Sequence, residues 1–278
     1  MRRRPCLDAQ AGSTQPVAPL ESLSQAMAFT RTYDGAEPVR INKWLGQSGV
    51  CSRREAEGLI ADGLVSIDGE VVRDAGRKIE PGQTLTLNDT GEAALAAGVA
   101  ILLHKPVGYV SGQPEPGKVP AVRLLTTANR IGEGETPARD ASLPPVGRLD
   151  EDSRGLLLLS SDGVVAKAVI GPQSDLDKEY LVRVAGQVTE AKLSKLRHGL
   201  ELDGRQLKPA RVTQMEPRRL RFILREGRNR QIRRMCELVG LEVVDLYRIR
   251  IGPVKLGDLP EGRWRMLTAD ERAALIKG

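Results

Sequence analysis

The sequence predicts an α+β protein in two domains, a small N-terminal domain and a larger one built on a mixed, largely antiparallel sheet. Its 278 residues correspond to about two domains of ordinary size. Short β-rich segments run from Ile101 to Leu224, with few candidate helices, around residues 189–200 and 230–239. Because strands and helices do not alternate regularly, a doubly wound parallel sheet is not predicted.

The chain divides into three regions by composition and periodicity. Residues 1–36 lack periodicity and are rich in Gln, Ser, Ala and Pro, which predicts a disordered leader. Residues 37–90 form the predicted small domain, and residues 98–271 form the larger one. Within the larger domain, the Gly-, Pro- and charge-rich stretch 126–145 predicts a mobile excursion.

The small domain combines two predicted helices with a tight hairpin. Ser52 and Glu55 form a capping box at the start of the second helix, and Asp68-Gly69 is typical of a hairpin turn. A unit of about 50 residues has a marginal core, so we interpret it as a binding appendage rather than an enzyme. Basic side chains near the helix starts are candidate phosphate contacts. They are Arg40, Lys43, Arg53 and Arg54.

The charge of the chain indicates an anionic partner. There are 42 Lys and Arg residues against 36 Asp and Glu, and the pI is near 9.4. The excess lies in residues 217–250, where ten arginines, no lysine and four acidic residues give a net charge of +6. Nucleic acid is the simplest partner, because arginine forms forked contacts with phosphate. A solvated basic face is the alternative.

Composition disfavours several other classes of protein. The longest apolar run, residues 93–103, is too short for a transmembrane helix, and no secretory signal is recognisable. Cys6, Cys51 and Cys236 are far apart, so we expect no disulfide and a cytoplasmic location. With two histidines and no Cys-x-x-Cys pair, we expect no metal site.

Two glycine-containing stretches resemble nucleotide-binding loops but lack essential residues. Residues 112–118 have P-loop spacing, yet Val119 replaces the Ser or Thr that would hold magnesium. Pro114 and Pro116 also lack the N–H groups that would cradle a phosphate. Residues 132–134 have no third glycine at the spacing of a dinucleotide-binding loop. We therefore expect no cofactor.

Asp150 is the principal candidate for chemistry. It ends the segment VGRLD, residues 146–150, shortly before the apolar run Leu156–Leu159, so it is expected at the edge of a sheet. Taken by itself, this pattern favours a turn or cap residue over a catalytic one, because aspartate is common in such loops.

The order of motifs along the chain changes that interpretation. The segment VRINKWLGQSGVCSRREAEGLIADGLVSIDGEVV resembles the S4-like RNA-binding domain. The motifs LHKPVGYVS, GRLDEDSRGLLLLSSDG, KEYLV and GRNRQIRRMCELVG follow in sequence. Together they resemble the RsuA-type pseudouridine synthases (RsuA, RluB, RluE and RluF), which also carry an N-terminal S4-like domain. NRQIRRMCE with KEYLV is most similar to the RluF subgroup, which modifies large-subunit ribosomal RNA.

The resemblance implies an isomerase that converts a specific uridine to pseudouridine. Asp150 would be the carboxylate beside the anomeric carbon, either attacking the ribose or assisting departure of the base and later removal of a proton. Arg233 would pair with Asp150 and favour its ionised form. Tyr180 would lie against a base flipped out of its helix. RNA or base contacts are implied for four further residues: Arg148, Asn229, Arg230 and Ile232.

These assignments have structural alternatives. Arg233 could instead contact phosphate on a basic helix, Tyr180 could be an ordinary strand residue, and Ile232 could pack in the core. Lys105, in the first motif, is expected to be structural.

The expected substrate is 23S ribosomal RNA, free or in a pre-ribosomal particle, with transfer RNA and small-subunit ribosomal RNA as alternatives. We expect a monomer without a cofactor, since the isomerisation involves no redox change or group donor. A non-catalytic RNA-binding or ribosome-assembly factor is the competing class. The intact GRLD motif, Tyr180 and Arg233 argue against it, and the missing glycine-rich cofactor loop argues against a methyltransferase.

Overall fold

The computed structural model describes residues 29–96, 98–112, 116–139 and 141–277. Residues 1–28 of the predicted leader lie outside these ranges. Thr30–Thr32, at the end of the predicted leader, form a strand that pairs with Thr84–Leu87. The prediction of a disordered leader was wrong for this segment, because its backbone completes one edge of the small domain's sheet.

The small domain consists of short strands and helices. In chain order they are β1 (Thr30–Thr32), β2 (Val39–Arg40), α1 (Ile41–Ser48), α2 (Arg53–Ala61), β3 (Val65–Ile67), β4 (Glu70–Val72), β5 (Lys78–Ile79) and β6 (Thr84–Leu87). Strands β1, β6, β3 and β4 form an antiparallel sheet in that order, and β2 pairs with β5. The helices bury Trp44, Leu45, Leu59 and Ile60 in a core shared with the sheet. The two predicted helices and the hairpin are confirmed.

The larger domain follows a short connecting helix, α3 (Asp89–Ala96). Its elements are β7 (Ala100–Lys105), β8 (Tyr109–Val110), β9 (Val119–Pro120), β10 (Pro145–Val146), β11 (Arg154–Ser160), α4 (Gly163–Ile170), β12 (Lys178–Ala185), α5 (Glu190–Arg197), β13 (Glu201–Leu202), β14 (Arg205–Gln206), β15 (Arg211–Glu216), β16 (Arg219–Leu224), α6 (Gln231–Leu238), β17 (Glu242–Ile251), β18 (Val254–Lys255), β19 (Trp264–Met266) and α7 (Ala269–Lys277). The candidate helices around residues 189–200 and 230–239 are confirmed as α5 and α6.

One sheet organises the larger domain. In the described part of the chain its main order is β15–β16–β12–β17–β11–β7–β19, with β10 paired to β11 and β18 to β17. Strands β11 and β17 are parallel, and the other neighbours are antiparallel. The predicted mixed, largely antiparallel sheet is therefore confirmed.

The sheet separates two apolar cores, which explains the continuous apolar run in β11. Leu157 and Leu159 face the core that contains α5 and α6. Leu156 and Leu158 face the other core, with Val165 of α4. A strand buried on both faces needs apolar residues at every position.

The start of the predicted excursion 126–145 is anchored to the large domain. The Trp264 indole donates to the Thr126 carbonyl at 2.9 Å, and Ile131 N donates to the Trp264 carbonyl at 2.8 Å. This segment therefore packs along β19. Among the described helices, none is long and apolar enough to cross a membrane.

Candidate active site

The candidate site is built on the loop 147–153, which connects β10 to β11. Ser111, directly after β8, holds the middle of this loop through its hydroxyl. Its Oγ donates to the Leu149 carbonyl at 2.6 Å and accepts from Leu149 N at 2.9 Å. Both residues are buried, so the backbone next to Asp150 is fixed away from solvent.

Arg248 of β17 holds the start of the same loop from below. Its side chain is buried, and it donates Nη1 to the Arg148 carbonyl at 3.2 Å and Nη2 to the Gly147 carbonyl at 3.3 Å. Its Nε donates to the Leu156 carbonyl at 2.7 Å. Gly155 allows β11 and β17 to lie this close together, because a Cβ at Gly155 would overlap the backbone carbonyl of Arg248. Neither Ser111 nor Arg248 is predicted from the sequence as part of the site, because Ser111 ends the motif LHKPVGYVS without an implied role and Arg248 lies in none of the motifs.

Asp150 is half-buried and opens into a cleft. Its side chain is 26% exposed, and its Oδ2 lies 3.8 Å from Nη1 of Arg230. The cleft has a volume of about 530 Å³, which is in the range of small-molecule and nucleotide-sized sites.

The cleft brings together the residues that the sequence analysis singled out in the larger domain. They are Arg148, Asp150, Tyr180, Asn229, Arg230, Ile232 and Arg233. Tyr180 lies on β12 beside a β-bulge, and Ile232 lies in the first turn of α6. Both are buried members of the large-domain core, so they pack structurally and line the cleft at once. Arg148 and Asn229 are exposed at its surface.

The expected pairing of Arg233 with Asp150 is not found in the structure. Arg230 makes the ion pair with Asp150, while Arg233 Nη2 lies 3.2 Å from the Asp152 carboxylate. The backbone explains the exchange. Arg230 adopts a left-handed conformation, with φ of +49°, just before α6, whereas Arg233 Nη1 is tied to the Val243 carbonyl at 3.1 Å.

Asp152, to which the sequence analysis gave no role, links both arginines to the loop. Its Oδ2 lies 2.9 Å from Nη2 of Arg230, and its carbonyl accepts from Nη2 of Arg233 at 2.7 Å. Burial raises the pKa of Asp152. The hydrogen bond from Arg230 and the charges of Arg233 and Arg230 lower the pKa by more than burial raises it, so the net shift is downward. The ionised Asp152 thus holds Arg230 beside Asp150.

Further cationic side chains line the cleft: Lys178, Lys208, Arg225, Arg228 and Arg248. Several of them also maintain the fold. Arg225 pairs with Asp177 at 3.1 Å, and Arg228 donates to the carbonyls of Leu202 and Gln206. Burial lowers the pKa of Lys178, and Arg248 adds to that effect. The arginine-rich stretch is therefore partly structural and partly a cleft wall.

Lys105 lies beneath the loop, and its contacts fit the structural role expected for it. Its side chain is buried, and its Nζ donates to the carbonyls of Pro106 and Tyr109, each at 2.8 Å. Burial lowers its pKa to about 8, against the opposing pull of Asp152, Asp150 and Glu151.

The basic residues predicted on the small domain lie outside the cleft. Arg40, Lys43, Arg53 and Arg54 are exposed, and none of them makes an ion pair within the described ranges. The described residues also contain no cluster of His, Cys, Asp and Glu side chains that could hold a metal ion.

Comparison with known proteins places this architecture in a family. The sequence model described as RNA pseudouridylate synthase matches residues 99–238, and that of the S4 domain matches residues 39–85. An uncharacterized RNA pseudouridine synthase of Aquifex aeolicus is 37% identical over 245 residues, which cover 86% of this chain and 94% of the relative. The dual-specificity RNA pseudouridine synthase RluF of Escherichia coli K12 is 36% identical over 241 residues, covering 86% of this chain and 79% of that protein.

A solved structure supports the same relationship. A crystal structure of a pseudouridylate synthase superposes with a TM-score of 0.60 at 27% identity, and the match covers 85% of this chain and 99% of that one. The chain therefore belongs to the RNA pseudouridylate synthase family, as an RsuA-type enzyme of the RluF kind with an S4 domain at its N-terminus.

Proposed function

We propose that this enzyme isomerises a specific uridine of 23S ribosomal RNA, and that Asp150 is the carboxylate essential for cleaving the glycosidic bond. The observation that carries the proposal is the position of Asp150. Its carboxylate opens into the cleft beside Arg230, on a loop whose neighbouring backbone is held by Ser111 and Arg248.

Isomerisation of uridine needs a carboxylate close to C1′ of the ribose. The bond between N1 of uracil and C1′ of ribose breaks, a bond between C5 and C1′ forms, and the proton of C5 is replaced by one on N1. Asp150 serves either by attacking C1′ or by assisting departure of the base and later accepting the C5 proton. Both routes use one oriented carboxylate, so the preorganised loop supports either.

Tyr180 and Ile232 are suited to hold the uracil ring while it turns. They line the same cleft as Asp150, and they carry an aromatic ring and an apolar side chain. A target base must leave its helix to reach such a cleft, and stacking on an aromatic ring offsets part of the cost of unstacking it.

Arg230 and Arg233 have different proposed roles. Arg230 stabilises the charge on Asp150 and is held in place by Asp152. Arg233 fixes the loop, through the carbonyl and the carboxylate of Asp152. At the cleft surface, Arg148 and Asn229 are exposed for contacts with the flanking RNA.

The large-subunit target is supported by the motifs NRQIRRMCE and KEYLV, which resemble the RluF subgroup. The relative from Escherichia coli is named a dual-specificity enzyme. Transfer RNA, an alternative that the sequence leaves open, is a second candidate substrate. On the small domain, Arg40, Lys43, Arg53 and Arg54 are proposed to contact phosphates of the RNA around the target.

Tritium release tests the reaction and the substrate together. RNAs transcribed with uridine tritiated at C5 release tritium when pseudouridine forms. We expect release from large-subunit ribosomal RNA, free or in a pre-ribosomal particle, exceeding that from small-subunit RNA. Release from transfer RNA alone would contradict the proposed substrate, and no release from any RNA or particle would contradict the proposed function.

A further inference from the structure

The two domains meet at the N-termini of two helices, and one carboxylate serves both. Glu55 Oε2 accepts from Ser52 N at 2.6 Å, which closes the capping box of α2 in the small domain. Glu55 Oε1 accepts from Gly163 N at 3.0 Å, which is the first amide of α4 in the large domain. Because free amides give both helix N-termini a partial positive charge, a shared carboxylate stabilises their approach.

Gly163 makes this approach sterically possible. A Cβ at this position would overlap the Glu55 carboxylate and Ser52. The backbone of Gly163 is not in the left-handed region, so local conformation does not demand glycine there. The absence of a side chain is needed for contact with the small domain.

Lys167, one turn further along α4, makes the second contact. Its Nζ donates to the carbonyls of Gly46 and Gln47, at 2.8 and 2.7 Å. These carbonyls belong to the last turn of α1, where a cation complements the helix dipole.

The connection between the domains is fastened at the same junction. Ser160 Oγ donates to the Val99 carbonyl at 2.8 Å, and Ser161 Oγ accepts from Val99 N at 3.0 Å. The segment SSDG, residues 160–163, thus anchors both the connecting chain and the small domain.

A groove of about 600 Å³ runs along this contact. Arg53 of the small domain lines the groove, and Ile170, Gly171 and Pro172 line both the groove and the cleft. The groove beside the start of α2 and the cleft around Asp150 are therefore adjacent and share part of their lining.

We propose that Glu55, Gly163 and Lys167 are positioning residues that dock the small domain in one orientation and thereby select which uridine reaches Asp150. The selection part rests on the function proposed above. A fixed orientation sets the distance and direction between RNA held at Arg53 and the base that enters the cleft.

Gly163→Ala separates docking from folding. Alanine is a better helix former than glycine, so α4 itself should tolerate the change, whereas the interdomain contact should not. Gly58→Ala is the matched control, because Gly58 lies in α2 and a Cβ there meets nothing within 4 Å. Both variants are made in the full chain.

Small-angle X-ray scattering reads the docking directly. We expect a larger radius of gyration for Gly163→Ala than for the wild type or Gly58→Ala. An unchanged radius of gyration would overturn the docking role of the contact.

Kinetics on two RNAs test whether docking selects the uridine that is modified. On a large-subunit RNA fragment, Gly163→Ala should raise KM about tenfold with kcat within twofold, and modification should spread to other uridines. On a short stem-loop bearing the target uridine, both constants should stay within twofold. Equal changes on the two RNAs would overturn the selection role, as would unchanged KM and unchanged modification sites on the fragment.

Lys167 provides an independent variant and a rescue. Lys167→Ala should reproduce the KM effect, and Lys167→Arg should restore it, because arginine can donate to the same carbonyls. If the wild type releases no tritium from any RNA, the proposed function fails. Scattering then still tests whether the contact docks the small domain. The selection role is tested by the affinities of wild type and Gly163→Ala for the two RNAs, and equal affinities of the two proteins would overturn it.

Discussion

Asp150 owes its position to bonds made by the backbone around it. Ser111 fixes both polar groups of Leu149, and Arg248 fixes the two carbonyls before it. Arg233 fixes the carbonyl of Asp152. The carboxylate of Asp150 is left to face the cleft and Arg230, which suits a group that must meet a substrate.

Arg230 is the cation whose loss should affect turnover most directly. Arg230→Gln removes the guanidinium beside Asp150, and we expect kcat to fall at least about tenfold, equivalent to about 1.4 kcal/mol in the barrier. The measurement is single-turnover tritium release with saturating enzyme. Arg234→Gln is the control, since Arg234 lies in α6, four residues after Arg230, but pairs with Asp203. Equal losses in the two variants would contradict the role given to Arg230.

Tyr180 should contribute through its ring. Tyr180→Phe keeps the π-face, so affinity for a short target RNA should be retained. Tyr180→Ala should weaken that affinity by about 1–3 kcal/mol, the usual contribution of one stacked base. Filter binding measures the affinity, and circular dichroism checks that each variant is folded. Unchanged affinity in a folded Tyr180→Ala variant would rule out stacking.

The motifs predicted which residues lie near one another better than they predicted the contacts between them. Asp150, Tyr180 and Ile232 lie together in one cleft, as the motifs implied. Their order along the chain carries that information. The exchange between Arg230 and Arg233 depends on a single positive φ before α6, and no spacing pattern encodes it.

At the level of elements, β17 was the main strand that the sequence analysis missed. Charged residues interrupt its apolar pattern, and two of them, Asp245 and Arg250, pair with residues that are distant in sequence. Asp245 forms a forked pair with Arg154, both bonds at 2.9 Å, and Arg250 pairs with Glu179 at 2.7 Å. From the sequence alone, such a strand is predicted as a loop, because the partners of its charged residues are not known.

Glu179 connects β12 to the strands on both sides, next to Tyr180. Its carboxylate accepts from Arg221 of β16 at 2.6 Å and from Arg250 of β17 at 2.7 Å. Burial raises the pKa of Glu179, but the hydrogen bonds from Arg250 and Arg221 outweigh it and lower the pKa below its ordinary value of 4.5. The ionised carboxylate therefore stabilises this part of the sheet.

Glu179→Gln should destabilise the larger domain by about 1.5–3 kcal/mol at pH 7, the usual contribution of hydrogen bonds to charged groups. Because the folded pKa is the lower one, the carboxylate stabilises the fold above pH 4.5 and loses this effect as pH falls through the folded pKa. The difference between wild type and variant in urea unfolding should therefore shrink below pH 4.5.

Glu190→Gln is the control for that measurement. Its carboxylate is 75% exposed, so the change should stay within about 0.5 kcal/mol. A Glu179→Gln variant as stable as the control at pH 7 would contradict the bridging role.

For the whole molecule, the motifs predicted which domains are present and in what order. They could not predict how the domains are oriented. That orientation depends on contacts of Glu55, Gly163 and Lys167 that no sequence pattern indicates, although Glu55 is recognisable as part of a capping box. The distance between the small domain's basic side chains and the cleft follows from it.

RNA binding should be strongly salt-dependent and should draw on both domains. Replacing Arg53 and Arg54 together by glutamine should make the plot of log K for RNA binding against log salt concentration less steep by about 1.4–1.8, if each arginine neutralises one phosphate. The control replaces both Arg219 and its ion-pair partner Glu216, 3.1 Å away, by glutamine, which leaves the net charge unchanged. Binding measured across a series of salt concentrations gives both slopes. An unchanged slope in the first variant would contradict the phosphate contacts proposed for Arg53 and Arg54.

The most direct test of the central claim is tritium release by Asp150→Asn beside the wild type, with binding of the same RNA measured in parallel. Asparagine preserves the size of the side chain and removes the carboxylate, while Glu151→Gln removes the adjacent exposed one. Asp150→Asn should release no tritium and bind RNA within a few fold of the wild type, and Glu151→Gln should stay active. Sustained release by Asp150→Asn would contradict the claim that this carboxylate is essential for cleaving the glycosidic bond.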